Sequence, residues 1–158
     1  MSKYLNSIIR ILFGIIWLID SYFKWQTPFL TGFSSYIASN NQLPILKLWY
    51  EFWSNIININ PSLFAYSVAT LETLTALGLI FGFAKKIGYV IASILALLIW
   101  GVAEGFGGPY SASSTDIGTG IIYFLVFVCL YYISTISTDY LSIDYILSKR
   151  ITFWKKIS

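Results

Sequence analysis

Long apolar runs separated by short polar stretches set the organisation of this chain. Four runs stand out, at 7–23, 62–83, 87–103 and 117–133. Each approaches or reaches the roughly 20 residues that a helix needs to cross the hydrocarbon core of a bilayer. In lipid the backbone must satisfy its own hydrogen bonds, so each run is expected to be a helix. The pattern predicts an all-α, integral membrane four-helix bundle forming one domain over 1–158. Arg10 and Asp20 interrupt the first run and no small-residue cleavage site follows it. That run is therefore read as a retained span and not as a signal peptide.

The segment between the first two runs follows a different pattern. In "LPILKLWYEFWSNIININP", Leu46, Trp49, Phe52, Trp53, Ile56 and Ile57 recur at helical spacing, while Lys47, Glu51 and Ser54 fall elsewhere around the wheel. This predicts an amphipathic segment over about 43–58, lying on the outer interface or capping the bundle. Asn60 and Pro61 suit the cap and first turn of the second span. Ser114 or Thr115 is expected to cap the fourth, with Asp116 at its positive end. The remainder, 139–158, reads as a polar tail.

Composition strengthens the membrane reading. Hydrophobic residues make up 57% of the chain and charged residues 11%, against roughly 25% charged in soluble domains. The single cysteine, Cys129, rules out an intrachain disulfide, and there is no histidine. Haem held by histidine, blue copper, a typical catalytic zinc and a Ser-His-Asp triad are thereby excluded. No metal site and no nucleic-acid partner are expected; membrane lipid is the expected surrounding. Redox chemistry would need an organic cofactor, a substrate or a partner to carry the electrons.

The charges also set an expected orientation. Lys3, Arg10, Lys85, Lys86, Lys149, Arg150, Lys155 and Lys156 fall on one side of the spans, and only Lys24 and Lys47 on the other. The positive-inside rule then predicts a multi-pass protein of the cell membrane with both termini in the cytoplasm.

Ionisable groups inside a membrane are costly and are functional candidates by default. Along the first span Gly14, Trp17, Ser21 and Lys24 all fall within about 40° of Arg10 on a helical wheel, a face expected to look into the bundle. Arg10 lies near the inner end, where it is expected to snorkel to the interface. Asp20 and Lys24 are four apart and can pair. Glu72 falls near the middle of the second span, with Ala65, Ala69, Thr75 and Ala76 on its side. Between the third and fourth spans, "AEGFGGPYSASSTDIGTG" gathers Gly105, Gly107 and Gly108 between Glu104 and Asp116. It is expected to form an outer lid in which Glu104 and Asp116 converge with Asp20 and Lys24. Asp116 would pair with Lys24 or face the start of the fourth helix, and Gly107→Val would impair turnover more than folding. Glu72, Asp20, Glu104 and Asp116 are the catalytic candidates. Lys24, Arg10, Trp17, Trp100, Tyr110 and Tyr123 are the candidates for binding substrate.

The blocks "EGFGGPY…TDIGTGIIY", "LETLTALGLIFGFAKK" and "RILFGIIWLIDSYFK" together resemble the DoxD branch of the DoxX-like membrane proteins. That resemblance implies a four-helix membrane subunit, often accompanied by a second small subunit. In thiosulfate-oxidising members electrons pass from thiosulfate to a membrane quinone, giving tetrathionate and quinol; other relatives belong to terminal quinol oxidase complexes. The expectation is a subunit of a thiosulfate:quinone-type oxidoreductase, with quinone as electron acceptor and its site in the outer half of the bundle. A quinone needs apolar walls and a few polar groups, and its reduction consumes protons that buried carboxyls can supply. The alternative is a non-catalytic scaffold subunit of a respiratory or quinol oxidase complex. A small transporter is a third reading, against which no inverted repeat or broken helix pair is visible.

Overall fold

The computed structural model describes residues 4–37, 44–108, 116–151 and 154, and among them it is helical with no strand. Four helices are long and apolar enough to cross a membrane. They are α1 (Leu5–Lys24), α4 (Pro61–Phe81), α5 (Lys85–Leu98) extended by a π-helical turn (Ile99–Ala103), and α6 (Thr119–Ile136). Between α1 and α4 lie a short α2 (Thr27–Thr31), two 3-10 turns and α3 (Lys47–Ile59); α7 (Ile143–Arg150) follows α6. Asn60 caps α4 as expected, its Oδ1 accepting from the Leu63 amide at 3.1 Å, with Pro61 in the first turn.

Each span buries only a stripe, between 17% and 33% of its most apolar window. Ile8, Leu12, Ile16 and Ile19 of α1 and Ile87, Ile91 and Ile94 of α5 point outward. An apolar exterior this extensive belongs in lipid, and the chain is a multi-pass membrane protein. In lipid no hydrophobic force draws helices together, so close backbone approach and polar contacts must. Both are present. The spans pack chiefly as two antiparallel pairs, α1 on α4 and α5 on α6. At Gly14 a β-carbon would lie 2.8 Å from Leu79 Cβ and 3.0 Å from the Ile80 amide, so glycine lets α1 and α4 touch. The face of α1 expected to look inward does so: Arg10, Gly14, Trp17 and Ser21 are all buried. On α4, Ala65, Ala69, Glu72 and Ala76 are buried. The two pairs meet in a core of rings and small residues, with Phe13 and Trp17 against Phe127, and Tyr89, Ala92 and Ala96 beside them.

The amphipathic α3 caps the end of the bundle that carries the α5–α6 loop, hereafter the loop end. Its inner face is rotated from the expected stripe. Tyr50 and Ile57 are buried, whereas Phe52 is 55% exposed. The reason is the docking surface: Ile57 and Trp53 pack with Ile37, Val102, Phe33 and Phe64. The Trp49 indole N–H also donates to the Gly101 carbonyl at 3.0 Å. Leu48, Phe52 and Ile59 remain as a second, outward apolar set, suited to the membrane interface.

The opposite end, where the α4–α5 turn and the C-terminal segment lie, is closed by charge. Arg10 is 1% exposed and does not snorkel. Its Nε donates to Asp139 Oδ2 at 2.7 Å and its Nη2 to the Leu141 carbonyl at 2.6 Å; Nη1 donates to the Leu79 and Ile80 carbonyls. Lys85 reaches the same Asp139 oxygen at 3.3 Å, and the Ser7 hydroxyl donates to Asp139 Oδ1 at 2.5 Å. Asp144 caps α5 from the tail, accepting from the Ala84 and Lys85 amides at 2.8 and 2.9 Å. Arg10 stays inside because 139–151 folds back and brings a carboxylate to it. Asp139 lies beyond α6. Burial pushes its pKa up, but the Ser7 and Arg10 hydrogen bonds and the Lys85 and Arg10 charges outweigh this. The net effect holds Asp139 below the usual carboxylate range.

Candidate functional site

One cluster of charge lies inside the loop-end half of the bundle, on the α1–α4 pair. Lys24 ends α1. Its Nζ lies 3.2 Å from Asp20 Oδ2, one turn earlier on the same helix, and 3.4 Å from Glu72 Oε2 on α4. The ammonium also sits 5.7 Å from the centre of the Phe29 ring on α2. The site is graded in depth. Asp20 is 35% exposed, Lys24 20% and Glu72 fully buried. Among the described residues neither Glu72 oxygen has a hydrogen-bond partner. The Lys24 ammonium stands beside the carboxylate without a well-directed hydrogen bond. Most buried carboxyl oxygens in proteins are hydrogen-bonded, and one left without a partner costs about 1–3 kcal/mol or more. Placement by α4 explains why the group is held there nonetheless. Ala65, Ala69 and Ala76 let α1 approach, and the Trp25 indole N–H locks the end of α1 onto Thr73 at 2.9 Å, next to Glu72 in sequence.

The other predicted residues divide between this cluster and elsewhere. Trp17 lies on the same face of α1, fully buried, with Tyr123 and Phe127 rings at 4.8 and 4.9 Å. Its indole N–H also lacks a partner among the described residues. Tyr123, half-buried, forms the edge of that ring cluster. Arg10 does not belong here: fourteen residues along α1 set it about 21 Å from Lys24, in the charge network at the other end. Trp100 donates its indole N–H to the Ile117 carbonyl at 2.7 Å and packs on Phe106 at 5.1 Å, serving the α5–α6 connection. Tyr110 lies outside the described residues, as do Ser114 and Thr115.

The expected convergence of four charges at the loop does not occur. Lys24 joins Asp20 and Glu72, and no ion pair links it to Glu104 or Asp116. Glu104 crosses instead to the start of α6, accepting from the Thr119 hydroxyl and, at 2.9 Å, from the Gly120 amide. Helix α6 begins at Thr119 with Gly118 before it. The Gly120 amide in its first turn thus takes its acceptor from the carboxylate that follows the π-helical turn. Asp116 accepts from the Gly118 amide at 2.8 Å. Gly105 is buried and Gly108 lies in extended backbone. Gly107 has φ +76°, and a β-carbon there would fall 2.3 Å from the Ile117 carbonyl oxygen. Gly107→Val is therefore a folding lesion first, contrary to the expectation from sequence.

Sequence reasoning missed Asp139 and Asp144. Their signal was present: two of only seven acids lie in the otherwise basic C-terminal segment. Also missed were Trp25, Thr73 and Phe29, which hold Lys24 in place. Among the described residues no three metal-ligating side chains cluster.

The DoxX family profile matches residues 5–105. That span contains α1, the α3 cap, α4 and α5 through Glu104, and so all three members of the Asp20–Lys24–Glu72 cluster. No curated protein and no solved structure matches the chain. With well over half of its length matched, including the helices that build the charged cluster, the chain belongs to the DoxX family.

Proposed function

We propose that this protein is the membrane subunit of a quinone-linked oxidoreductase of the thiosulfate:quinone type, with the Asp20–Lys24–Glu72 cluster as its site. The observation that carries the reading is Glu72: a carboxyl fully buried in a membrane helix, both oxygens without a hydrogen-bond partner among the described residues, 3.4 Å from a lysine. Such a group suits a ligand that needs a proton delivered in an apolar place. Quinone is of that class, since each carbonyl oxygen takes up a proton as the ring takes up two electrons. The electrons come from thiosulfate, two of which join through a new sulfur–sulfur bond to give tetrathionate.

In this scheme Lys24 supplies positive charge that attracts the dianion and compensates Glu72 whenever it has given up its proton. Glu72 donates to the reduced head group. Asp20, the most exposed of the three, returns a proton from the aqueous side. Trp17 and Tyr123 provide ring surfaces beside the cluster, with the Trp17 indole N–H as a spare donor. Support for thiosulfate as the donor comes from the resemblance of the "EGFGGPY…TDIGTGIIY" block to the DoxD branch.

The test uses protein purified from membranes in mild detergent with whatever subunits accompany it. Thiosulfate and a short-chain quinone are added, and quinol and tetrathionate are measured together. Equimolar formation of both, lost in Glu72→Gln and Lys24→Gln, is the expected result. Folded protein that binds no quinone and forms neither product would make it a scaffold subunit.

A further inference from the structure

Asp20 lies one turn, about 6 Å, inside the end of α1 at Lys24. Its helix neighbours Ile16, Ile19 and Phe23 are exposed on the face that lipid covers, so its route to water runs along the bundle and not out through that face. On the helical wheel Asp20 falls in one stripe with Phe13 and Trp17, at i, i+4 and i+7. That stripe faces α6. The Phe13 ring packs on Tyr123 and Phe127 at 5.8 and 5.2 Å, and the Trp17 ring on the same two at 4.8 and 4.9 Å. Asp20 therefore stands at the loop end of the seam between α1 and α6, one turn beyond Trp17.

The other wall of the seam carries two hydroxyls. Thr119 and Tyr123 are four apart on α6 and share a face. Side chains of a helix lean toward its N-terminus, which for α6 is the loop end, so Tyr123 leans toward Thr119. The Thr119 hydroxyl donates in turn to Glu104, which also accepts from the Gly120 amide at 2.9 Å. Glu104 is half-buried and follows the last residue of the third span, at the aqueous margin of the bundle. Tyr123 thus lies between two acids, Asp20 across the seam and Glu104 toward the loop. The charges of Asp20, Lys24, Glu104 and Glu72 all act on its hydroxyl, Asp20 most strongly of the four.

We propose that the Thr119 and Tyr123 hydroxyls relay protons from Glu104 to Asp20, making Glu104 the aqueous entry for the protons that reach Glu72. The inference deepens the reading of the Asp20–Lys24–Glu72 cluster as a site of proton delivery, and rests on it. At each hydroxyl the oxygen takes up one proton as its own passes on. One O–H bond forms, one breaks, and the charge of the side chain is unchanged; rotation of the hydroxyl resets it. Asp20 then hands the proton to Glu72, with Lys24 beside both carboxyls at 3.2 and 3.4 Å to balance whichever is bare. Tyr123 is a positioning and relay residue, its ring fixed by Phe13 and Trp17.

The test reads proton access to Glu72 with no quinone present. The full chain in phosphatidylcholine vesicles is moved from H2O to D2O, and the shift of the protonated-carboxyl infrared band is followed in time. The Glu72 band is the one absent in Glu72→Gln. Tyr123→Phe keeps the ring in its stack and removes only the hydroxyl. It should slow exchange of that band at least about tenfold, the scale of a lost proton-transfer group, with an unchanged melting temperature. Thr119→Val should slow it likewise, and decides the matter alone if Tyr123→Phe does not fold. Tyr89→Phe, which removes a buried hydroxyl at the other end of the bundle, should exchange as the wild type does. Wild-type exchange in the folded relay variants, equal slowing in Tyr89→Phe, or no Glu72 band at any pH overturns the relay. Slowed exchange in a protein that neither binds nor reduces quinone would support the relay and remove the quinone reading.

Discussion

Arg10 and Asp139 stand 129 positions apart in the chain and 2.7 Å apart in space, both buried, where the start of α1 meets the segment after α6. This contact ties the first span to the last across an interface that lipid does not press together. Breaking a buried pair by removing one partner leaves an uncompensated charge, at about 3–5 kcal/mol. Arg10→Ala and Asp139→Ala are therefore expected to lower the unfolding midpoint in detergent strongly. The double variant should fall short of the sum, because the second removal relieves the charge stranded by the first. Additive losses in the thermal melts would show that the two residues act separately.

Acid should open the same end. Asp139 is held below the usual carboxylate range in the folded chain, first against the opposing effect of burial and then by Ser7, Arg10 and Lys85. A depressed carboxylate contributes stability that is present above its unfolded pKa of about 3.9 and is lost as pH falls through its lower folded value. Stability should thus be insensitive to Asp139 near neutrality and decline below about pH 4. Asp139→Asn should flatten that part of the profile. Identical acid slopes in wild type and Asp139→Asn would rule Asp139 out as the group responsible.

At the charged cluster, Glu72→Gln keeps the size of the side chain and removes its proton. It should fold, and quinone-linked turnover should fall at least about tenfold, within the range typical of general acid–base groups. Glu72→Leu removes hydrogen bonding altogether while leaving Lys24 paired to Asp20. Unchanged turnover in Glu72→Gln, with Glu72→Leu failing to fold, would make Glu72 a packing group.

The loop makes a separate prediction. Gly107→Val places a branched side chain at positive φ and against the Ile117 backbone. It should cost at least about 2 kcal/mol by strain and overpacking, seen as a lower melting temperature before any kinetic effect. Gly88→Ala, a helical glycine facing open space, should be neutral or stabilising by the same measurement.

Orientation is checked by labelling. In a Cys129→Ser background, a membrane-impermeant thiol reagent added from outside should reach Ala112→Cys and fail to reach Lys86→Cys. The reverse pattern would place the Asp20–Lys24–Glu72 cluster on the cytoplasmic side.

The spans were legible in the sequence because a bilayer imposes a length and a polarity on every crossing segment, and those requirements act locally. The inward face of α1, the alanine side of α4 and the Asp20–Lys24 spacing follow from helical periodicity, and the Asn60–Pro61 start from the chemistry of a helix cap. Which charges meet across helices does not. Lys24 found Glu72 and not Asp116 because α1 runs antiparallel to α4 in one particular register, set by Gly14 against Leu79 and by Trp25 on Thr73. Arg10 stayed inside because Asp139 and Asp144 return from the far end of the chain, and no local pattern encodes that return. Glu104, expected in a site, accepts from Thr119 and Gly120 at the start of α6, where the first amides of a helix lack partners within it. Periodicity determines which face of a helix is buried. The partner found there depends on the register of the neighbouring helix, and that is a property of the packed structure.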